Sequence, residues 1–251
     1  MLPEINEEET RKRIEEFISK KVGKRKAVLG LSGGLDSSVV LKLCEESLGK
    51  ENVLGVMLQT KYNKEEDLRD AIEYAKELGV EYKVKNIDKI VEEFTREFET
   101  DGKLALGNIA ARVRMTALYY YSNQYNGMVI GTGNKSEILT GYFTKYGDGG
   151  VDIEPIGNLY KTSVRDLARH LKVPERIIEK EPSAGLWEDQ TDEKELGMKY
   201  ETLDKVLYSF ENKAYPSDTD SEIIERVKKM VDSNYHKREF PPRGDIVYAE
   251  K

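Results

Sequence analysis

The chain has 251 residues, 38% hydrophobic and 35% charged, a composition that builds a sizeable core under a heavily charged surface. Lys and Arg number 40 against 47 Asp and Glu, a net charge of −7, which argues against broad nucleic-acid or membrane-surface binding. One cysteine, Cys44, excludes an intrachain disulfide and a Cys-rich metal site.

A cytoplasmic setting is expected from that cysteine usage. The N-terminal MLPEINEEETRKRIEEF is acidic and lacks an apolar signal core, and no stretch is long and apolar enough to span a bilayer. No internal repeat, linker or low-complexity segment interrupts the chain, so one domain, 1–251, is expected.

In chain order, Asn6–Val22 patterns as an amphipathic helix with Ile14, Phe17, Ile18 and Val22 on one side. It should pack outside the main domain or in a subunit interface. Lys26–Leu48, KAVLGLSGGLDSSVVLKLCEESL, then runs from a short apolar strand through a Gly-rich turn into a helix. Such a turn presents free backbone N–H groups and the positive end of the helix dipole, an anion site. Gly33 and Gly34 let a phosphate approach the main chain, and Ser32, Ser37 and Ser38 add hydroxyls.

The turn has no Lys before its Ser, so it is not a Walker A loop, and it does not fit G-x-G-x-x-G. Asp36 would instead meet a phosphate, and two anions that close need a cation between them. A divalent metal, Mg²⁺, suits that role. The bland reading makes Asp36 a first-turn helix charge and the glycines a simple connection.

Asn52–Gln59 reads as a strand buried on both faces, Lys64–Leu78 as a helix stopped by Gly79, and Glu81–Ile87 as a third strand. This alternation predicts a doubly wound α/β fold, a parallel sheet of about five strands with flanking helices. Ligands in such folds bind beyond the carboxyl ends of the strands, where the Gly-rich turn lies. Within Leu104–Asn123, Gly107-Asn108 is read as opening a helix. Its Arg112 and Arg114 stand two apart and point to different sides, and spacing alone leaves each a solvated charge.

Met128–Gly133 predicts a fourth strand, with Thr132 at its carboxyl end and Glu137 in the following helix. Glu137 is either a second ligand for the Asp36 metal or a helix-dipole charge, and spacing leaves both open. Gly127–Gly150 holds seven glycines, so Gly141–Gly150 is expected to be a flexible loop that orders over a ligand. Val151–Gly157 is read as a fifth strand carrying Asp152. Lys161 precedes a helix within Leu159–Leu171, capped by Thr162 or Ser163. Short helices follow at Glu175–Lys180, Lys199–Phe210 and Ser221–Asn234, with Pro182–Trp187 as a break and a polar tail holding His236, Lys237 and Arg238. His170, near a helix C-terminus, reads as structural.

SGGLDSS resembles the pyrophosphate loop of the N-type ATP pyrophosphatases, which cleave ATP to AMP and pyrophosphate. With GNIAARVRM, GTGNKSE, GYFTKYGDGGVDIEPIGNLYKT, KEPSAGLW and QTDEKELG in this order, most of the chain resembles ammonia-dependent NAD synthetase. That resemblance implies an adenine nucleotide alpha hydrolase-like fold, a homodimer, and the conversion of deamido-NAD, ATP and ammonia to NAD, AMP and pyrophosphate. It implies that Gly30, Leu31, Ser32, Gly33, Gly34, Leu35, Asp36 and Ser37 wrap the ATP phosphates, and that Thr132, Lys161 and Ser183 also contact ATP. Asp36 and Glu137 match the Mg²⁺ ligands. Arg112, Lys145, Asp152, His236 and Lys237 match contacts to deamido-NAD, which makes Arg112 rather than Arg114 the pocket arginine. Asp36 and Lys161 carry the catalytic roles.

The segment QTKYNKEED departs from the family pattern, so no adenine contacts are assigned. Cys44, in an apolar helix, is a buried core residue rather than a glutaminase nucleophile, and free ammonia is the expected nitrogen source. Two other readings share the loop. Another amidating or thiolating member, such as a GMP synthetase subunit, would lack GYFTKYGDGG, and a nucleotide-binding module would not need Asp36, Glu137 and Lys161 together.

Overall fold

The computed structural model describes residues 2, 4–99, 102–187, 189–212 and 219–245. Helix α1 (Glu7–Val22) starts where the Asn6 side chain accepts the Glu9 amide at 2.9 Å, carries Glu7, Glu8 and Glu9 in its first turn, and stops at Gly23. Its Ile14, Ile18 and Val22 are buried, as the spacing predicts. Strands β1 (Lys26–Gly30), β2 (Val53–Gln59) and β3 (Glu81–Asn86) alternate with helices α2 (Leu35–Leu48) and α3 (Glu65–Glu77). Helices α4 (Asp88–Glu97) and α5 (Lys103–Gln124) then lead to β4 (Gly127–Ile130).

All pairings are parallel and the order is β3-β2-β1-β4, with Ala27 opposite Val53 and Met128. After β3 the chain crosses back to the far side of β1, so the switch point lies between β1 and β4. One face of the sheet packs Ala27, Leu29, Val53 and Met57 against α1, α2 and α3. The other packs Val28, Leu54, Val56 and Leu58 against Val91, Val113 and Leu118 of α4 and α5. That alternation is the period of two expected of a sheet covered on both sides.

The C-terminal part is helical: α6 (Lys135–Thr140), α7 (Lys161–His170), α8 (Glu175–Ile178), α9 (Asp192–Leu196), α10 (Tyr200–Asn212) and α11 (Ser221–Ser233). Leu203, Val206 and Leu207 of α10 and Val227 of α11 form a second core with Tyr160, apart from the sheet.

Four sequence expectations need correction. The Val151–Gly157 strand reduces to one bridge, Ile130 with Ile153, because Asp152 turns its carboxylate onto the edge strand and takes the Val129 amide at 2.8 Å. Gly107-Asn108 does not open α5, which begins at Lys103; Gly107 sits inside it because a Cβ there would lie 3.2 Å from Leu186 and Trp187. The Gly141–Gly150 loop is tied down rather than loose. Thr144 donates its amide to Asp148 and its hydroxyl to Asn108, and the Phe143 ring lies 2.5 Å from where a Gly149 Cβ would be. Glycine density there serves close packing. Finally, Thr162 and Ser163 lie within α7 rather than capping it, and Lys161 is its first residue. His170 meets Glu8 at 3.1 Å, a structural contact as expected.

Candidate active site

The loop from Gly30 to Ser37 crosses the carboxyl end of β1 at the switch point and enters α2 at Leu35. Gly33 is left-handed, φ +82°, and a Cβ there would lie 2.0 Å from the Asp67 carbonyl oxygen. Only glycine fits. The loop's donors are held by its own serines: the Gly34 amide donates to Ser32 Oγ at 3.1 Å, and Ser32 and Ser37 hydroxyls meet at 3.1 Å. Ser37 and Ser38 both donate to the Gly34 carbonyl. Lys180 fastens the loop from outside, reaching the Gly33 carbonyl at 3.2 Å and Asp67 at 2.8 Å.

Across the switch point, Asn134 caps α6 in a reciprocal box with Glu137 and donates to Asp36 Oδ1 at 3.1 Å. Lys161 completes the group. Its ammonium contacts Asp36 Oδ2 and stands 3.6 Å from Glu137 Oε1, with a side chain only 4% exposed. Burial alone would depress the lysine pKa, but the Asp36 and Glu137 charges outweigh it and raise the value. Burial and the Asp36 charge push Glu137 well above the ordinary carboxylate range, against the pull of Lys161. Asp192, which accepts the Tyr142 and Tyr200 hydroxyls, adds a third carboxylate whose pKa burial raises.

Of the remaining sequence candidates, Arg112, Lys145 and His236 are joined to one another. Arg112 donates to the Lys145 carbonyl at 3.3 Å, and Lys145 donates to the His236 carbonyl at 2.6 Å. Lys237 reaches the carbonyls of Gly141 and Phe143 at 2.7 and 2.9 Å. Asp152 takes the Tyr119 hydroxyl at 3.1 Å in addition to its sheet-edge bond. Thr132 lies two residues after β4, between Gly131 and Gly133. Ser183 lies on the loop before α9, where its hydroxyl donates to the Gln190 carbonyl at 2.7 Å. Arg114 is not a solvated charge: it donates to the Leu58 carbonyl and Asn63 Oδ1, both at 3.1 Å, over the carboxyl end of β2.

Asn134, Lys180, Asp192 and Glu154 escaped the sequence reading. The N-x-x-E spacing of Asn134 and Glu137 was visible as a capping box. Glu154 gave no such signal: its Oε2 is buried without a hydrogen-bond partner among the described residues, and burial with the nearby Asp148 charge lifts its pKa to about 7.

Asp36 and Glu137 fit a small hard cation. They are oxygen donors that already share one positive charge, and Mg²⁺ is commonly held by one or two carboxylates plus substrate phosphates. Among the described residues no set of three or more His, Cys, Asp or Glu is arranged to hold a metal alone, so phosphate oxygens would complete the shell.

A glycine turn at the β1/β4 switch point, facing paired carboxylates and a buried lysine, stands where doubly wound α/β proteins take their ligands. The NAD synthase family model matches residues 8–241, and the chain belongs to that family. It is 50% identical over 224 residues to an NH(3)-dependent NAD(+) synthetase of Methanococcoides burtonii, covering 86% of this chain and 85% of the relative. Among solved structures, an NMN synthetase from Francisella tularensis superposes with a TM-score of 0.89 at 34% identity, over 97% of this chain and 100% of that one. An NH3-dependent NAD synthetase from Campylobacter jejuni, in complex with nitrate, gives 0.83 at 33%, over 96% and 100%.

Proposed function

We propose that this chain, acting as one domain over 1–251, amidates deamido-NAD with ammonia at the expense of ATP, giving NAD, AMP and pyrophosphate. The observation that carries the reading is the convergence of Asp36, Glu137 and Lys161 on the Gly30–Ser37 loop, in a chain of the NAD synthase family. ATP phosphates take the Gly34 and Ser32 amides now turned to Ser32 Oγ and Ser37 Oγ, and the serine hydroxyls rotate to them. Lys161, Thr132 and Ser183 add ATP contacts. Asp36 and Glu137 would hold Mg²⁺, which when bound would supply charge neutralisation to the polyphosphate.

Arg112, Lys145, Asp152, His236 and Lys237 hold deamido-NAD so that its nicotinate carboxylate lies in line with the α-phosphorus. The carboxylate oxygen bonds to that phosphorus as the bond to pyrophosphate breaks, giving an acyl adenylate. Ammonia then adds to the acyl carbon, loses a proton and expels AMP. The protein's part is positioning and charge stabilisation. Cys44 takes no part: burial pushes its thiol to about 12.

A homodimer and a cytoplasmic setting complete the proposal. The surface that supports the dimer is the outer face of α4, where Ile90 and Phe94 stand exposed, as do Phe98 just after it and Leu104 and Tyr120 of α5.

The test is purified protein with ATP, MgCl₂, ammonium and deamido-NAD, following NAD and AMP. Both should appear in equal amounts, and neither should form with Asp36→Asn. Absence of both products from the unaltered chain refutes the reading. A parallel reaction with the mononucleotide acid in place of deamido-NAD separates this activity from that of the Francisella neighbour.

A further inference from the structure

Helix α10 carries two polar side chains one turn apart, Tyr200 and Asp204, both fully buried on a face otherwise built of Leu203, Val206 and Leu207. Tyr200 meets Lys161 directly, and Asp204 reaches its backbone through Ser136. The Tyr200 ring lies beneath the ammonium, 5.2 Å from centroid to Nζ, and its hydroxyl is anchored on Asp192 Oδ2 at 3.0 Å. The Asp204 carboxylate accepts the Ser136 hydroxyl through one oxygen and the Thr162 amide at 2.9 Å through the other. Ser136 Oγ in turn accepts the Lys161 amide at 2.9 Å.

The first two amides of α7 are therefore satisfied from outside the helix, by α6 and α10, and no side chain of its own caps it. Burying a carboxylate in a core is costly, and burial raises the Asp204 pKa. An apolar residue would fill this position at no such cost. What the carboxylate supplies is place: it joins α6, which carries Glu137, to the residue that begins α7. Lysine has a flexible four-carbon stem and no fixed geometry of its own. One end of that stem is set by Asp204 through Ser136, and the other by an aromatic face that attracts the cation.

We propose that Tyr200 and Asp204 are positioning residues for Lys161, holding its ammonium where the ATP phosphates arrive. The proposal rests on the reading that Lys161 contacts ATP. Neither residue touches substrate, and both act through the lysine. A displacement of about 1 Å in such a group lowers turnover by about 100-fold.

Two measurements test this, one of which needs no turnover. In steady-state kinetics, Tyr200→Leu should raise KM for ATP or lower kcat, with kcat/KM for ATP down about 30-fold. KM for deamido-NAD should stay within about two-fold, and Tyr200→Phe, which keeps the ring, should recover most of the loss. Asp204→Asn, left with one acceptor oxygen for two donors, should show the same selective loss. Equal changes in both Michaelis constants, or a folded Tyr200→Leu with unaltered ATP kinetics, would overturn the proposal.

The second measurement is a double-mutant cycle on melting temperature with Tyr200→Leu and Lys161→Met. The drop caused by Tyr200→Leu should shrink by about 3 °C once the lysine is gone. Strict additivity would overturn the proposal. If the unaltered chain makes no NAD, the functional reading falls, while the cycle still decides whether Tyr200 holds Lys161.

Discussion

Replacing Lys161 with methionine removes the positive charge that Asp36 and Glu137 share. The ammonium touches Asp36 and stands 3.6 Å from Glu137. At an effective dielectric near 20, one such pair at that separation attracts by about 4–5 kcal/mol, and desolvation offsets much of it. Leaving the two carboxylates without their cation costs about 3–5 kcal/mol, which lowers the melting temperature by about 10 °C in a chain this size.

The loss depends on pH in a defined direction. Without the lysine's opposing pull, Glu137 titrates still further above its unfolded value. The folded variant then keeps a proton that the unfolded chain has released, so its stability falls as pH rises from about 4 toward its folded-state pKa. Below about pH 4 Glu137 is protonated in both states and its share of the deficit closes. Excess MgCl₂ at about pH 8 should restore part of it, because the divalent ion takes the lysine's place between the same two carboxylates. Saturation at about 100 times Kd returns about 2.7 kcal/mol. Scanning calorimetry of both proteins, at both pH values and with and without MgCl₂, reads all of this. Equal destabilisation at both pH values, with no recovery by Mg²⁺, would refute the charge argument.

Gly33→Ala should cost about 2–4 kcal/mol and raise KM for ATP at least about ten-fold, because its Cβ collides with the Asp67 carbonyl in a left-handed conformation; thermal melts with kinetics check it, and an unaltered KM would contradict the assigned role of the loop. Glu154 has a folded pKa of about 7 against an ordinary 4.5, so its ionisation destabilises the fold progressively across that interval. Glu154→Gln should therefore stabilise by up to about 3 kcal/mol at pH 8 and by almost nothing at pH 4.5, and equal effects at the two pH values would rule the ionisation out. Phe94→Glu on the exposed face of α4 should convert the proposed dimer to monomer in sedimentation, leaving the melting temperature of the subunit little changed. A dimer that persists would move the interface elsewhere.

The alternating strands and helices, the glycine turn and its position at the carboxyl end of β1 were legible because each follows from local periodicity and turn chemistry. The fifth strand was not. VDIEPIG alternates like a strand, yet Asp152 spends its carboxylate on the Val129 amide and leaves room for one bridge only. Glycine density in Gly141–Gly150 was misread for a related reason: composition does not distinguish freedom from close contact, and Phe143 and Thr144 fill the space beside Gly149 and Gly147. Asp36 is legible from the loop motif, whereas spacing leaves Glu137 open and only the family resemblance gives Lys161 a role. Their convergence depends on Asn134 and on α10, which lies 39 residues beyond Lys161 in sequence, counting from Lys161 to Tyr200. No local pattern encodes a contact at that separation.

The core against the α2 face of the sheet and the core of α10 and α11 meet at α7. Val164, Leu167 and Ala168 root the helix under the sheet, whereas Tyr160, the residue before it, belongs with Leu203, Leu207 and Val227. Lys161 thus sits on the seam. Sub-global opening of α10 and α11 would release the lysine while β1, the glycine turn and the parallel ladder stayed hydrogen-bonded. Heat or mild denaturant should then silence the enzyme before far-ultraviolet dichroism reports any loss of sheet. Amide exchange should be faster along α10 than along β1 and β2. The lifetime of activity in such a molecule is set by its smaller core.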